Sequence, residues 1–167
     1  MPRSIDSFPM LFMRALSPSV RYSFLVLGLV AFAAAGCSGP LGLFSGPLEI
    51  SIRGTTDMNG GNAARVRIYE LAGDTNFQNT PVGSFWQSDR DALGDELVRP
   101  PREVLIYPGQ NESVEFELAE DTQFIGVASD LRNPRRDGWR TVYPINDVQG
   151  ERMVVNVGVD QITVAIE

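Results

Sequence analysis

A mainly β fold, an antiparallel β-sandwich of about eight strands, is what the sequence predicts for residues 47–167. Three observations carry the expectation. Short runs alternate apolar and polar residues with period two, the signature of strands buried on one face. Turn-forming Gly, Pro, Asn and Asp separate these runs. One run, Phe124-Ile-Gly-Val-Ala128, is apolar throughout, as suits a central strand.

In chain order, the first strand is Leu48-Glu-Ile50-Ser-Ile52-Arg53, with Leu48, Ile50 and Ile52 on one face. Ala64-Arg-Val66-Arg-Ile68-Tyr69 repeats the pattern and places Arg65 and Arg67 on the wet face. Glu103-Val-Leu-Ile-Tyr107 is a third strand, ended by the turn pair Pro108-Gly109. Ser113-Val-Glu-Phe-Glu-Leu118 alternates cleanly, so Glu115 and Glu117 read as neighbours on a solvent face. Trp139 to Tyr143, Arg152 to Val157 and Gln161 to Ile166 follow the apolar run and complete eight strands. Short strands with turn residues between them are how a sandwich reads in sequence.

Residues of about 74–98 break the pattern. They hold Phe77, Val82, Phe85, Trp86, Leu93 and Leu97 without alternation. Ser88-Asp-Arg-Asp91 before Ala92-Leu93 reads as a capped helix start with acids in the first turn. Gly94 and Pro100-Pro101 keep any helix short. The segment is expected to be a short helical insertion whose aromatics cover one end or face of the sandwich. A ligand pocket at Phe85 and Trp86 is the alternative use of the same rings.

The N-terminal residues obey a different grammar. Arg14 and Arg21 precede an apolar run from Phe24 that ends in Ala34-Ala35-Gly36-Cys37, the form of a secretory signal. Tyr22 to Gly36 is 15 residues, short of the about 20 that span a bilayer. Cys37 is the only cysteine, and its setting resembles a lipobox, in which the cysteine is lipidated and becomes the first mature residue. The expected organisation is a signal peptide over 1–36, a lipidated Cys37 with a flexible tether over 37–46, and a sandwich domain over 47–167. Ser38 after the cysteine favours sorting to the outer membrane. Translation from Met10 or Met13 instead of Met1 would shorten the leader to a more ordinary length.

Composition removes much chemistry. The chain has no histidine, so a Ser-His-Asp triad, a His-ligated zinc and a His general base are excluded. With Cys37 committed to lipid, no thiol nucleophile or disulfide is available, and no cofactor or metal is expected. Asp57-Met-Asn-Gly-Gly-Asn62 is faintly like a calcium loop, but Ile68 stands where such a loop needs its bidentate Glu. All 14 basic residues are arginines. Removal of the leader leaves 11 of them against 20 acids, a net charge of −9. An acidic domain without lysine is a poor match for nucleic acid or anionic lipid, so attachment to a membrane must come from acyl chains.

The ordered set Val66-Arg-Ile-Tyr-Glu-Leu71, Phe77, Phe85-Trp86, Leu93-Gly-Asp-Glu-Leu97 and Tyr107-Pro-Gly109 resembles the type VI secretion outer-membrane lipoproteins, the TssJ, VasD or SciN family. Phe124 to Ala128 followed by Trp139-Arg140 is similar to the family's second conserved stretch. The Asn-Pro and Pro-Val pieces of the first loop are replaced here by Asn59-Gly60 and Ala64-Arg65, which leaves that loop's shape open. The resemblance implies a transthyretin-like sandwich, held at the outer membrane and facing the periplasm, with no catalysis. It also implies binding to the periplasmic C-terminal region of the inner-membrane protein TssM, as a monomer by itself and in multiple copies in the assembled complex. The binding loop carried over is Thr56, Asp57, Met58, Asn59, Gly60, Gly61 and Asn62; by the loop's own chemistry Met58 at its centre reads as an adaptable apolar contact. A periplasmic solute- or polymer-binding lipoprotein, using a pocket near Phe85 and Trp86, is the alternative function.

Overall fold

The structure, a computed structural model, describes residues 47–167. The signal segment, Cys37 and the tether lie outside the described residues. Eight strands are present: β1 (Leu48–Gly54), β2 (Ala64–Leu71), β3 (Arg102–Ile106), β4 (Asn111–Phe116), β5 (Phe124–Ser129), β6 (Arg140–Pro144), β7 (Arg152–Val157) and β8 (Ile162–Ile166). They form two four-stranded sheets, ordered β4-β1-β7-β8 and β3-β2-β5-β6. Four helices of one turn or slightly more join them: α1 (Thr75–Asn79), α2 (Val82–Gln87), α3 (Asp89–Leu93) and α4 (Ile145–Val148).

The alternation seen in sequence builds the core between the sheets. Leu48, Ile50 and Ile52 of β1 and Met153, Val155 and Val157 of β7 meet Ala64, Val66 and Ile68 of β2 and Ile125 and Val127 of β5. All are essentially excluded from solvent, at about 1.5–3 kcal/mol for each larger side chain fully buried. Every strand pair is antiparallel except one: β1 runs parallel to β7, with Glu49 opposite Arg152 and Gly54 opposite Val157. The cause is connectivity. The chain leaves β6 in the other sheet, crosses through α4 and enters β7 in the direction of β1. A strand that arrives by crossover is free to pair in parallel, whereas a tight hairpin is not.

The helical insertion forms a third layer on the outer face of the second sheet. Tyr69 and Leu71 of β2 and Ala128 of β5 face it, and with Phe77, Phe85, Leu93 and Trp139 they form a second buried cluster. β5 is therefore covered on both faces, which is why its sequence is apolar without alternation. Ser88 stands at the N-cap of α3, with Asp89 and Asp91 in the first turn. Its hydroxyl donates to the Asp91 carboxylate at 2.6 Å and makes no capping bond to the backbone.

Arg67 departs from its expected wet face. Only 18% of its side chain is exposed, because α3 lies over it. Its Nη1 donates to Asp89 Oδ2 at 2.8 Å and its Nε to Glu103 Oε2 at 2.9 Å. The guanidinium also stands 5.3 Å from the centre of the Trp86 ring, within cation–π range.

Candidate functional site

The loop from β1 to β2, residues 55–63, passes from one sheet to the other, which is why it is longer than a hairpin turn. Its start is held by the Thr55 N–H, donating to Val157 O at 3.0 Å. A single 3₁₀ turn, Met58–Gly60, closes with the Gly61 N–H donating to Met58 O at 2.8 Å. Asn59, Gly60 and Gly61 all take positive φ, 47°, 63° and 79°. Glycine and asparagine are the residues that tolerate this region, so Asn-Gly-Gly specifies the shape of the loop.

Met58 is not the apolar contact expected of it. It is fully buried among the core residues, its Sδ packed against Gly54. In a period-two reading Met58 falls in a loop, but the 3₁₀ turn rolls it inward under the end of the sandwich. Thr56, Asp57, Gly60, Gly61 and Asn62 are exposed. Asp57 accepts the Thr55 hydroxyl at 2.8 Å, and Asn62 Nδ2 donates to the carbonyls of Asn59 and Gly60 at 3.1 and 3.0 Å.

Asn59 organises this end of the molecule. It is 4% exposed and reaches three loops. Its backbone N–H donates to Gly158 O at 3.0 Å, in the turn from β7 to β8. Its Oδ1 accepts the Arg132 N–H at 2.8 Å, in the loop from β5 to β6, and its Nδ2 donates to Ala63 O at 2.8 Å. The amide side chain thus satisfies two backbone groups that would otherwise be orphaned, and with its own backbone N–H the residue joins three loops that are distant in sequence.

Between these loops lies an open recess of about 330 Å³. Asn59, Gly60 and Asn62 line it from the first loop, Arg132 and Asn133 from the second, Val159 and Asp160 from the third. Val159 is 48% exposed and is the apolar side chain that this end presents where the sequence suggested Met58. Arg132, Asn133 and Val159 were not legible as site residues, since only the fold brings their loops to Asn59. A valine between Gly158 and Asp160, in a turn that needs no apolar residue, is the one local signal for it. The arrangement offers amides, backbone groups, a guanidinium and one aliphatic side chain, which is the chemistry of recognition. No group of three His, Cys, Asp or Glu side chains suited to a metal ion occurs among the described residues.

Around Phe85, where a pocket was the alternative, the space is filled by other rings, and the nearby recess of about 300 Å³ is lined by Phe77, Arg140 and Val142 instead. Phe85 is fully buried, and the rings of Tyr69, Phe77, Trp86 and Trp139 contact it edge-on with centroids 5.0–5.7 Å away. Trp86 is half-buried and covers the cluster from outside. Arg140 locks the insertion down. Its Nη1 donates to Phe77 O at 2.7 Å and Thr80 O at 2.6 Å, and its Nη2 donates to Gln78 O and to Asp137 Oδ1 at 3.2 Å. Burial pulls its pKa down, opposed by Asp137, but a guanidinium stays charged here. The Tyr69 hydroxyl donates to Asp89 Oδ2 at 2.8 Å. Burial first, and then the bond to and the charge of Asp89, push the phenol pKa up.

The family described as type VI secretion lipoprotein, VasD, EvfM, TssJ matches residues 47–161. No curated protein sequence matches the chain. Among solved structures, the type VI secretion lipoprotein TssJ1 from Pseudomonas aeruginosa is 24% identical, with a TM-score of 0.66 over 74% of this chain and 97% of that one. Lip, a membrane-bound component of the type VI secretion system from Serratia marcescens, is 18% identical with a TM-score of 0.61, over 74% and 98%. A chain in the structure of the TssM C-terminal domain (869–1107) from EAEC is 20% identical with a TM-score of 0.64, over 72% and 98%. These likenesses are of fold; the family match covers most of the sequence, and the chain belongs to the type VI secretion lipoprotein family that includes TssJ and VasD.

Proposed function

We propose that the chain is a non-enzymatic anchor of the type VI secretion trans-envelope complex. Acyl chains on Cys37 hold it to the outer membrane on the periplasmic side. The loop end of the sandwich docks the periplasmic C-terminal region of a TssM-type inner-membrane protein. The protein is a monomer by itself and is present in multiple copies in the assembled machine.

The observation that carries the docking reading is Asn59, which fastens the predicted loop to two others before any partner arrives. A preformed surface loses little conformational entropy on binding. Direction supports it too. The chain enters the domain at Leu48, and the docking loop begins beyond Gly54, so the seven residues of β1 separate the two ends by roughly 20 Å. An anchor preceding one end leaves the other free to meet a protein reaching across the periplasm. The chain matched in the TssM structure is of this domain's length, shorter than the span 869–1107, which supports a partner of that kind.

Titration of a soluble 47–167 fragment against the cognate TssM C-terminal domain tests the reading. Saturable one-to-one binding is expected, weakened by Thr56→Trp or Asn62→Trp on the exposed rim. No binding by the unmodified fragment at high micromolar concentration would contradict it. For the anchor, Cys37→Ser is expected to release the protein from the membrane fraction and to abolish the acyl mass on the mature N-terminal peptide.

A further inference from the structure

The loop end concentrates arginines in a run that holds no acid. Elsewhere most arginines are matched within the chain, among them Arg65 with Asp130 at 3.4 Å, Arg67 with Asp89, Arg99 with the buried Glu70 at 3.8 Å and Arg152 with Glu49 at 3.9 Å, while Arg53 and Arg90 stand exposed and singly on β1 and α3 with no ion pair among the described residues. Residues 131–136, Leu-Arg-Asn-Pro-Arg-Arg, carry three arginines and no acid. Arg135 is consumed internally. Its backbone N–H donates to Asp160 O at 2.7 Å and its Nε to Asp160 Oδ2 at 3.1 Å. Arg132 and Arg136 on either side of it are exposed, and no carboxylate among the described residues lies within ion-pair range of either.

The acids that flank the loop in sequence are already engaged, Asp130 with Arg65 and Asp137 with Arg140, and so is Asp160, which the fold brings against it, with Arg135. Arg136 is also held at φ 46°, a conformation rare outside glycine and asparagine. Its loop is fastened on both sides, by the Gly138 N–H to Arg135 O at 2.7 Å and the Ile162 N–H to Gly138 O at 2.7 Å. Two unmatched cations are therefore presented on a fixed support beside the recess, in a domain whose net charge is negative.

We infer that the docking surface extends past the first loop onto the β5–β6 loop, where Arg132 and Arg136 meet carboxylates on an acidic face of the partner protein. The inference rests on the docking reading above and names the partner's chemistry. A protein surface fits better than a lipid one. Recruitment to anionic membranes takes clusters of about four to eight basic residues, and here two stand in an acidic domain. Opposite charges across an interface act mostly on encounter rate and selectivity.

The test is binding kinetics between the 47–167 fragment, which contains both cores, and the cognate TssM C-terminal domain at low and high salt. The double variant Arg132→Glu/Arg136→Glu is expected to associate about tenfold or more slowly at low salt with its melting temperature unchanged. Arg90→Glu, the same charge change on the exposed part of the insertion, should bind as the parent does. Association of the parent should slow as salt rises, while the double variant responds weakly. A parent that binds with no salt dependence, and a double variant that matches it, would overturn the charge inference and leave docking intact. A parent that does not bind at all would remove both. Binding of the parent to phosphatidylglycerol vesicles, lost in the double variant while its partner affinity is unchanged, would reassign the arginines to lipid and overturn the inference.

Discussion

The ring of Phe77 occupies the place a side chain on Gly126 would take: Cε2 and Cζ lie 2.9 Å from the position of a Cβ there. Glycine in the centre of β5 lets α1 rest directly on the sheet, and Leu71 Cδ1 closes the same space at 3.1 Å. Gly126→Ala is expected to displace Phe77 and to lower stability by about 1–3 kcal/mol, the usual effect of overpacking. Gly83→Ala on α2, with nothing within 4 Å, should be neutral or slightly stabilising. Urea unfolding of the two variants of the 47–167 fragment checks both.

Met58 belongs to stability and not to contact. Met58→Ala should destabilise by about 2–5 kcal/mol, the range for large-to-small changes in a core. Met58→Asp would bury a carboxylate without a partner and is expected to prevent stable folding at 37 °C. Thermal melts decide; a Met58→Asp variant with a parental melting point would show that the turn does not hold this side chain inside.

Arg140 acts as a clamp whose forked geometry matters. Arg140→Lys retains the charge but cannot reach the carbonyls of Phe77, Gln78 and Thr80 together. A loss of about 1–3 kcal/mol is expected, by the scale of charged hydrogen bonds. Amide exchange should accelerate first in residues 75–80, while β1 and β7 stay protected. Uniform acceleration across both sheets would contradict a local clamp.

Alkaline pH should weaken the fold through Tyr69. Its phenol pKa is raised in the folded protein above the about 10 of an unfolded chain. Below pH 10 both states keep the proton and the contribution is complete. Above it the unfolded chain releases its proton while the folded one does not, so stability falls as pH rises, by about 1.4 kcal/mol per unit for this group. Urea midpoints between pH 8 and 11 should show this slope, and Tyr69→Phe should flatten it.

The strands were legible because each needs only its own residues: a period of two means one buried face, whatever the face meets. β5 was legible for the complementary reason, being covered on both sides. What lay beyond the sequence depends on distant partners. Arg67 reads as wet until α3 is placed over it, and Met58 reads as loop until a 3₁₀ turn rolls it inward. The first loop was identified by resemblance, but Arg132 and Val159 reach it from residues more than 70 positions away, with Asn59 as the link. The parallel pairing of β1 and β7 likewise follows from a crossover that no local pattern encodes.

Hydrogen exchange of the 47–167 fragment, with and without the cognate TssM C-terminal domain, distinguishes docking at the loop end from docking at the helical insertion. New protection is expected in residues 55–63, 131–137 and 158–161, and none in α1 to α3. Protection confined to the helical insertion, or absent from the loop end at saturating partner, would contradict docking at the loop end.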